Sequence, residues 1–171
     1  MQIGLLALIV YGVVDGHPKA ISNGTISLAI TLLPAVLERN YEFPLDPWLA
    51  MWIASAVFLH SLGSAGLYGS IPWWDHLTHA LSASLVAGVG YTATRAVDLH
   101  SDDISIPTRF AFVYLFVVVL SFGVIWELFE FGLDVFTRTT GYTMPLAQHG
   151  LDDTVRDLIF NSVGAALVGT F

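Results

Sequence analysis

The sequence predicts an all-α fold: a polytopic integral membrane protein, a compact bundle of six transmembrane helices, or five if the first apolar run does not cross fully. Two observations carry this. Of the 171 residues, 55% are apolar and only 12% charged, where a soluble domain carries about 25% charge; mean hydropathy is +0.70. The apolar residues also gather in runs that approach the ~20 residues needed to cross hydrocarbon. The length suits one domain over residues 1–171, and there is no internal repeat, low-complexity tract or linker.

Taken in order, Gln2–Val14 is apolar but short for a span, and reads as a tilted or half-inserted helix. It lacks the basic start and small-residue cleavage site of a signal peptide. The turn Asp15-Gly16-His17-Pro18 ends it. The second span covers about Ala20–Leu37, with Pro34 placed to kink it, and Glu38–Pro47 form a loop. The third, about Trp48–Leu67, is followed by a short turn at Tyr68–Pro72. Trp48, Trp52, Tyr68, Trp73 and Trp74 fall near span ends, where amphipathic rings favour the interface. The fourth, about Asp75–Val97, is rich in Ala, Gly and Ser, which permits close helix contact. Asp98–Pro107 is a loop, Phe110–Phe131 the most hydrophobic span, Thr137–Gly150 a second long loop, and Asp152–Val168 the last helix.

There are no cysteines, so disulfides and thiolate chemistry are excluded. Fourteen acidic residues against six basic ones give a net charge of −8, which argues against nucleic acid as a partner and against polybasic attachment to anionic lipid. The single lysine, Lys19, and acidic loops at Glu38, Glu42, Asp46, Asp98, Asp102 and Asp103 fit the high-salt setting of a halophilic archaeon. Arg39, Arg95 and Arg109 fall on one side and Lys19, Arg138 and Arg156 on the other, so the positive-inside rule leaves orientation open. The expected location is the cell membrane, crossed several times, with the lipid bilayer as solvent.

The chemistry lies in the exceptions to apolarity. Asp75 and His79 share one face at the start of span four, and Ser82 continues their stripe. Glu127, Glu130 and Asp134 follow at the end of span five; Asp153, Asp157 and Asn161 at the start of span six. The loops at those ends are separated by two crossings and lie on one membrane side, so all three stripes can converge. Ionisable groups at that depth are costly and normally mark function. Several carboxylates in one pocket would repel unless a cation or shared protons neutralised them. One histidine among carboxylates suits a divalent ion, Mg²⁺, Mn²⁺ or Zn²⁺.

Structural readings compete with this one. Asp75, Asp152 or Asp153 could simply cap their helices. Capping does not explain Asp157, one turn deeper, nor Glu127 and Glu130 near a helix C-terminus, where negative charge opposes the dipole. His76 lies about 100° around the helix from Asp75 and points elsewhere. His60 reads as hydrogen-bonded to a neighbour, and the sequon Asn23-Gly24-Thr25 sits too near the membrane to serve as a glycosylation site.

Three motifs then define a resemblance: Trp74-Asp75-His76-Leu77-Thr78-His79, Trp126-Glu127-Leu128-Phe129-Glu130, and Asp153-Thr154-x-x-Asp157-x-x-x-Asn161-x-x-Gly164. In order and helix position, over about Pro72–Gly169, they resemble the YjdF-like inner-membrane proteins, and the last resembles the wider VanZ-like group. The resemblance implies functional roles for Asp75, His79, Glu127, Glu130, Asp153 and Asp157. This chain departs from it at Asp152, where relatives often carry Trp, and at Val155, where a Gln is common.

Taken together, these features point to a metal site acting on a lipid or lipid-linked headgroup. Asp75, His79, Glu127, Glu130, Asp153 and Asp157 would be ligands, with the first four in the catalytic set as well and Asn161 orienting them. The alternatives are a non-enzymatic partner of other membrane subunits, whose polar cluster is structural, and proton or cation transport.

Overall fold

In the computed structural model, which describes residues 1–101, 103–142 and 150–169, each apolar run becomes a helix. They are α1 (Gln2–Asp15), α2 (Pro18–Tyr41), α3 (Pro47–Ser70), α4 (Trp74–His100), α5 (Thr108–Thr140) and α6 (Leu151–Gly169). The chain is all-α among the described residues. Asp102 and the centre of the predicted loop before α6, residues 143–149, lie outside them.

The helix ends follow local chemistry. Gly16 takes left-handed angles (φ 69°, ψ 37°), and the His17 N–H closes on Gly12 O at 2.8 Å, ending α1. Pro18 then occupies the first position of α2, where a missing N–H costs nothing. Asp46 caps α3 by accepting from the N–H groups of Trp48 (2.9 Å) and Leu49 (3.1 Å). Asp98 accepts from the Ile106 N–H at 2.8 Å and pairs with Arg95, tying the loop after α4 back to its helix.

α5 departs from expectation. The loop was predicted from Thr137, yet the helix continues to Thr140, because Asp134 and Arg138 form an i,i+4 ion pair that supports the last turns.

Among the described residues three helices, α2, α3 and α5, are long and apolar enough to cross a membrane. α1 has 14 residues and is short for that. α6 carries Asp152, Asp153, Arg156 and Asp157, and α4 carries Asp75 and two histidines in its first two turns; these polar stripes lower their hydropathy. Large apolar side chains such as Ile3, Val14, Ile125 and Leu128 face outward. In water such exposure would be an aggregation liability, whereas in lipid it is the expected surface.

The described residues form two compact units, 1–78 with 132–142, and 79–131 with 150–169. In the first, Leu5, Leu8, Ala20 and Ala56 are buried, and a polar seam joins α2 to α3. Ser61 Oγ donates to Ser27 Oγ at 2.7 Å, and Ser27 Oγ to Val57 O at 3.2 Å. Asn23 is buried in the same seam, so the sequon is not a surface acceptor. In the second, Ala83, Ala87, Val119 and Ala165 form a core flanked by Val86, Phe116 and Val168. Small side chains at that core let the helix backbones approach closely.

Candidate functional site

α6 is held on two sides by residues too small to keep other helices away. At Gly164 an added Cβ would strike the Ala80 carbonyl oxygen and stand 2.9 Å from Ala83 Cβ. At Gly123 it would stand 2.7 Å from Asn161 Nδ2 and 3.0 Å from Leu158 Cδ2. α6 therefore packs on α4 through Gly164 and on α5 through Gly123. Both contacts lie within two turns of the polar residues, and they fix which of those can meet.

Two pairings result. His79 Nε2 lies 3.6 Å from Asp157 Oδ1, with Asp157 almost fully buried. One turn along α6, Thr154 Oγ1 donates to Glu127 Oε2 at 2.7 Å. Glu127 is 5% exposed, and its other oxygen, Oε1, has no hydrogen-bond partner among the described residues. Thr154 and Asp157 are three apart and share a helix face, so the two pairs are neighbours on α6.

The remaining candidates are placed as follows. Asp75 stands one turn before His79 on the continuous helix α4, with a carboxylate oxygen within 4.8 Å of a His79 ring nitrogen. It is in the first turn rather than at the cap, because α4 starts at Trp74; Asp152 and Asp153 likewise fall in the first turn of α6. Glu127, Glu130 and Asp153 do not belong to the group of mutually close ligand atoms found among the described residues. Glu130 accepts from the Trp126 indole N–H at 3.0 Å along its own helix. Asp153 is half-buried. Ser82, expected to prolong the stripe, is exposed, because α4 meets α6 through Ala80, Ala83 and Ser84 and turns Ser82 away. Asn161 is buried against Gly123.

Sequence reasoning missed Thr154 as the partner of Glu127, although its position one turn before Asp157 was a signal. His60 proved hydrogen-bonded to a neighbour as expected: its Nδ1 is 2.7 Å from Tyr68 Oη. Tyr68, expected as an interface aromatic, also has a specific partner in His60.

A chain whose described residues are all-α, with three bilayer-length apolar helices, a lipid-suited surface and buried carboxylates, is a membrane protein. It belongs to the DUF2238 family of predicted membrane proteins, whose family model matches residues 1–171. It is also similar to an uncharacterized protein of Thermotoga maritima, 30% identical over 135 residues, which cover 77% of this chain. The chain spans about 65% of that relative's length. No solved structure matches.

Proposed function

We propose that the chain crosses the cell membrane six times and carries a divalent-metal site acting on a lipid or lipid-linked headgroup. His79 and Asp157 are its central ligands, Asp75 the ligand one turn earlier on α4, and Glu127 the adjoining carboxylate. Glu130 and Asp153 complete the acidic rim, and the resemblance to YjdF-like and VanZ-like proteins falls on these same residues.

The observation that carries this reading is the His79–Asp157 pair, a ring nitrogen 3.6 Å from the oxygen of an almost fully buried carboxylate. On the facing helix α5, Glu127 Oε1 lies in a 5% exposed residue without a hydrogen-bond partner among the described residues, a second costly buried acceptor. Arg95 and Arg138 pair with Asp98 and Asp134. A divalent cation would bring positive charge to these carboxylates, and imidazole with carboxylates suits Mn²⁺, Zn²⁺ or Mg²⁺. Bound there, it would polarise a phosphoryl or ester oxygen.

The structural alternative draws on the Thr154–Glu127 bond, which ties two helices together without any ion. Turnover separates the two readings. Purified protein is assayed in mixed micelles for phosphate release from phosphatidate and from a polyprenyl diphosphate, with Mn²⁺ or with chelator. Metal-dependent release by wild type, lost in His79→Ala, is the expected result. No release under either condition, with His79→Ala folded and indistinguishable from wild type, favours the structural role.

A further inference from the structure

The first turn of α4 is anchored to the end of α3 at two points, and neither anchor is accounted for by apolar packing. Trp74 Nε1 donates to Leu59 O at 3.0 Å. Beside it runs a chain of side chains: His60 Nδ1 to Tyr68 Oη at 2.7 Å, Tyr68 Oη to Thr78 Oγ1 at 3.3 Å, and Thr78 Oγ1 to the backbone oxygen of Asp75 at 2.8 Å. Thr78 is 2% exposed, so its hydroxyl has little access to water.

The backbone is shaped to build this chain. Between His60 and Tyr68, α3 is kinked at Gly63–Leu67, where Gly66 leaves helical angles. Gly66 there has φ 143°, open to glycine and strained for other residues. Gly63 lies against the Tyr68 ring so closely that a Cβ would overlap it. Two glycines five residues before and two before Tyr68 thus hold its hydroxyl between His60 and Thr78.

The direction of the chain follows from its end. A backbone carbonyl only accepts, so Thr78 spends its proton on Asp75 O. For all three contacts to be hydrogen bonds, Thr78 must accept from Tyr68, and Tyr68 from His60 Nδ1–H. A carbonyl has no proton to pass on, so this chain is a brace and not a proton wire. What it braces is the helical turn that carries Asp75 and leads into His79.

We propose that Tyr68 is a positioning residue for the metal site: through Thr78 it fixes the first turn of α4, and so the Asp75 carboxylate, for an ion. This rests on the metal-site reading above. Partners that orient metal ligands at one remove typically contribute 10–100-fold to affinity.

The test is Mn²⁺ binding to full-length protein in detergent, read by electron paramagnetic resonance, with thermal unfolding measured in parallel. Tyr68→Phe is expected to weaken Mn²⁺ binding about tenfold, with the melting temperature close to wild type. Thr78→Val should do the same, Thr78→Ser should bind like wild type, and combining Tyr68→Phe with Thr78→Val should cost no more than either alone. Wild-type affinity in Tyr68→Phe, with His79→Ala deficient, overturns the bracing role and leaves the metal site standing. Absence of Mn²⁺ binding in wild type overturns both.

Discussion

Thr154 Oγ1 donates to Glu127 Oε2 across 2.7 Å, joining α6 to α5 with a partly buried bond one turn along α6 from where Asp157 meets His79. Glu127→Gln keeps the acceptor for Thr154, so stability is expected to stay close to wild type while bound metal falls. Thr154→Val removes the donor and leaves a buried carboxylate poorly satisfied, which costs roughly 1–3 kcal/mol. Denaturant unfolding in detergent, paired with metal analysis, reads both effects. Equal metal in Glu127→Gln and wild type would remove Glu127 from the site.

Gly164 and Gly132 form a matched pair of tests. A methyl group at Gly164 meets the α4 backbone, which cannot give way like a flexible side chain, so Gly164→Ala should destabilise by about 1–3 kcal/mol. At Gly132 nothing lies within 4 Å of the added carbon. Gly132→Ala is therefore expected to stabilise α5 by about 0.5–1 kcal/mol, the ordinary helix preference for alanine. A shift of the same sign in both variants would contradict the close α4–α6 contact.

Asp46 accepts two N–H bonds at the start of α3. Asp46→Ala should cost about 1 kcal/mol, and Asp46→Asn or Asp46→Ser much less. Unfolding midpoints for the three variants check this; an equal loss in all three would mean that charge, not capping, is at work.

The absence of native cysteine makes topology directly measurable. With six crossings, an impermeant thiol reagent labels Pro72→Cys and Tyr142→Cys from one side, and Phe43→Cys and Ser101→Cys from the other. Labelling of Pro72→Cys and Tyr142→Cys from opposite sides would break the premise that the polar stripes enter from one face.

The helices were legible because hydropathy and punctuation agree: Gly16, Pro18 and Pro47 all stand at the ends where the sequence placed them. The candidate site was legible only as a set of stripes. Period alone could say that Asp75 and His79 share a face, but not that Gly164 and Gly123 turn α6 so that Asp157 reaches His79 while Ser82 turns outward. Long-range contact between helices is set by which small residues face each other, and one sequence does not reveal that pairing. The His60–Tyr68–Thr78 chain was hidden for another reason: it depends on a kink in α3 at Gly66, which no hydropathy period marks.

The central claim is that the His79–Asp157 pair, with Asp75 one turn earlier on α4, holds a divalent ion. The most direct measurement is elemental analysis of purified wild type, His79→Ala and Asp157→Asn, each reconstituted with Mn²⁺, Zn²⁺ or Mg²⁺ and desalted. The account predicts that wild type retains one of these metals in near-equal amount to protein and that both variants lose it while remaining folded. Equally negligible metal in all three would contradict it.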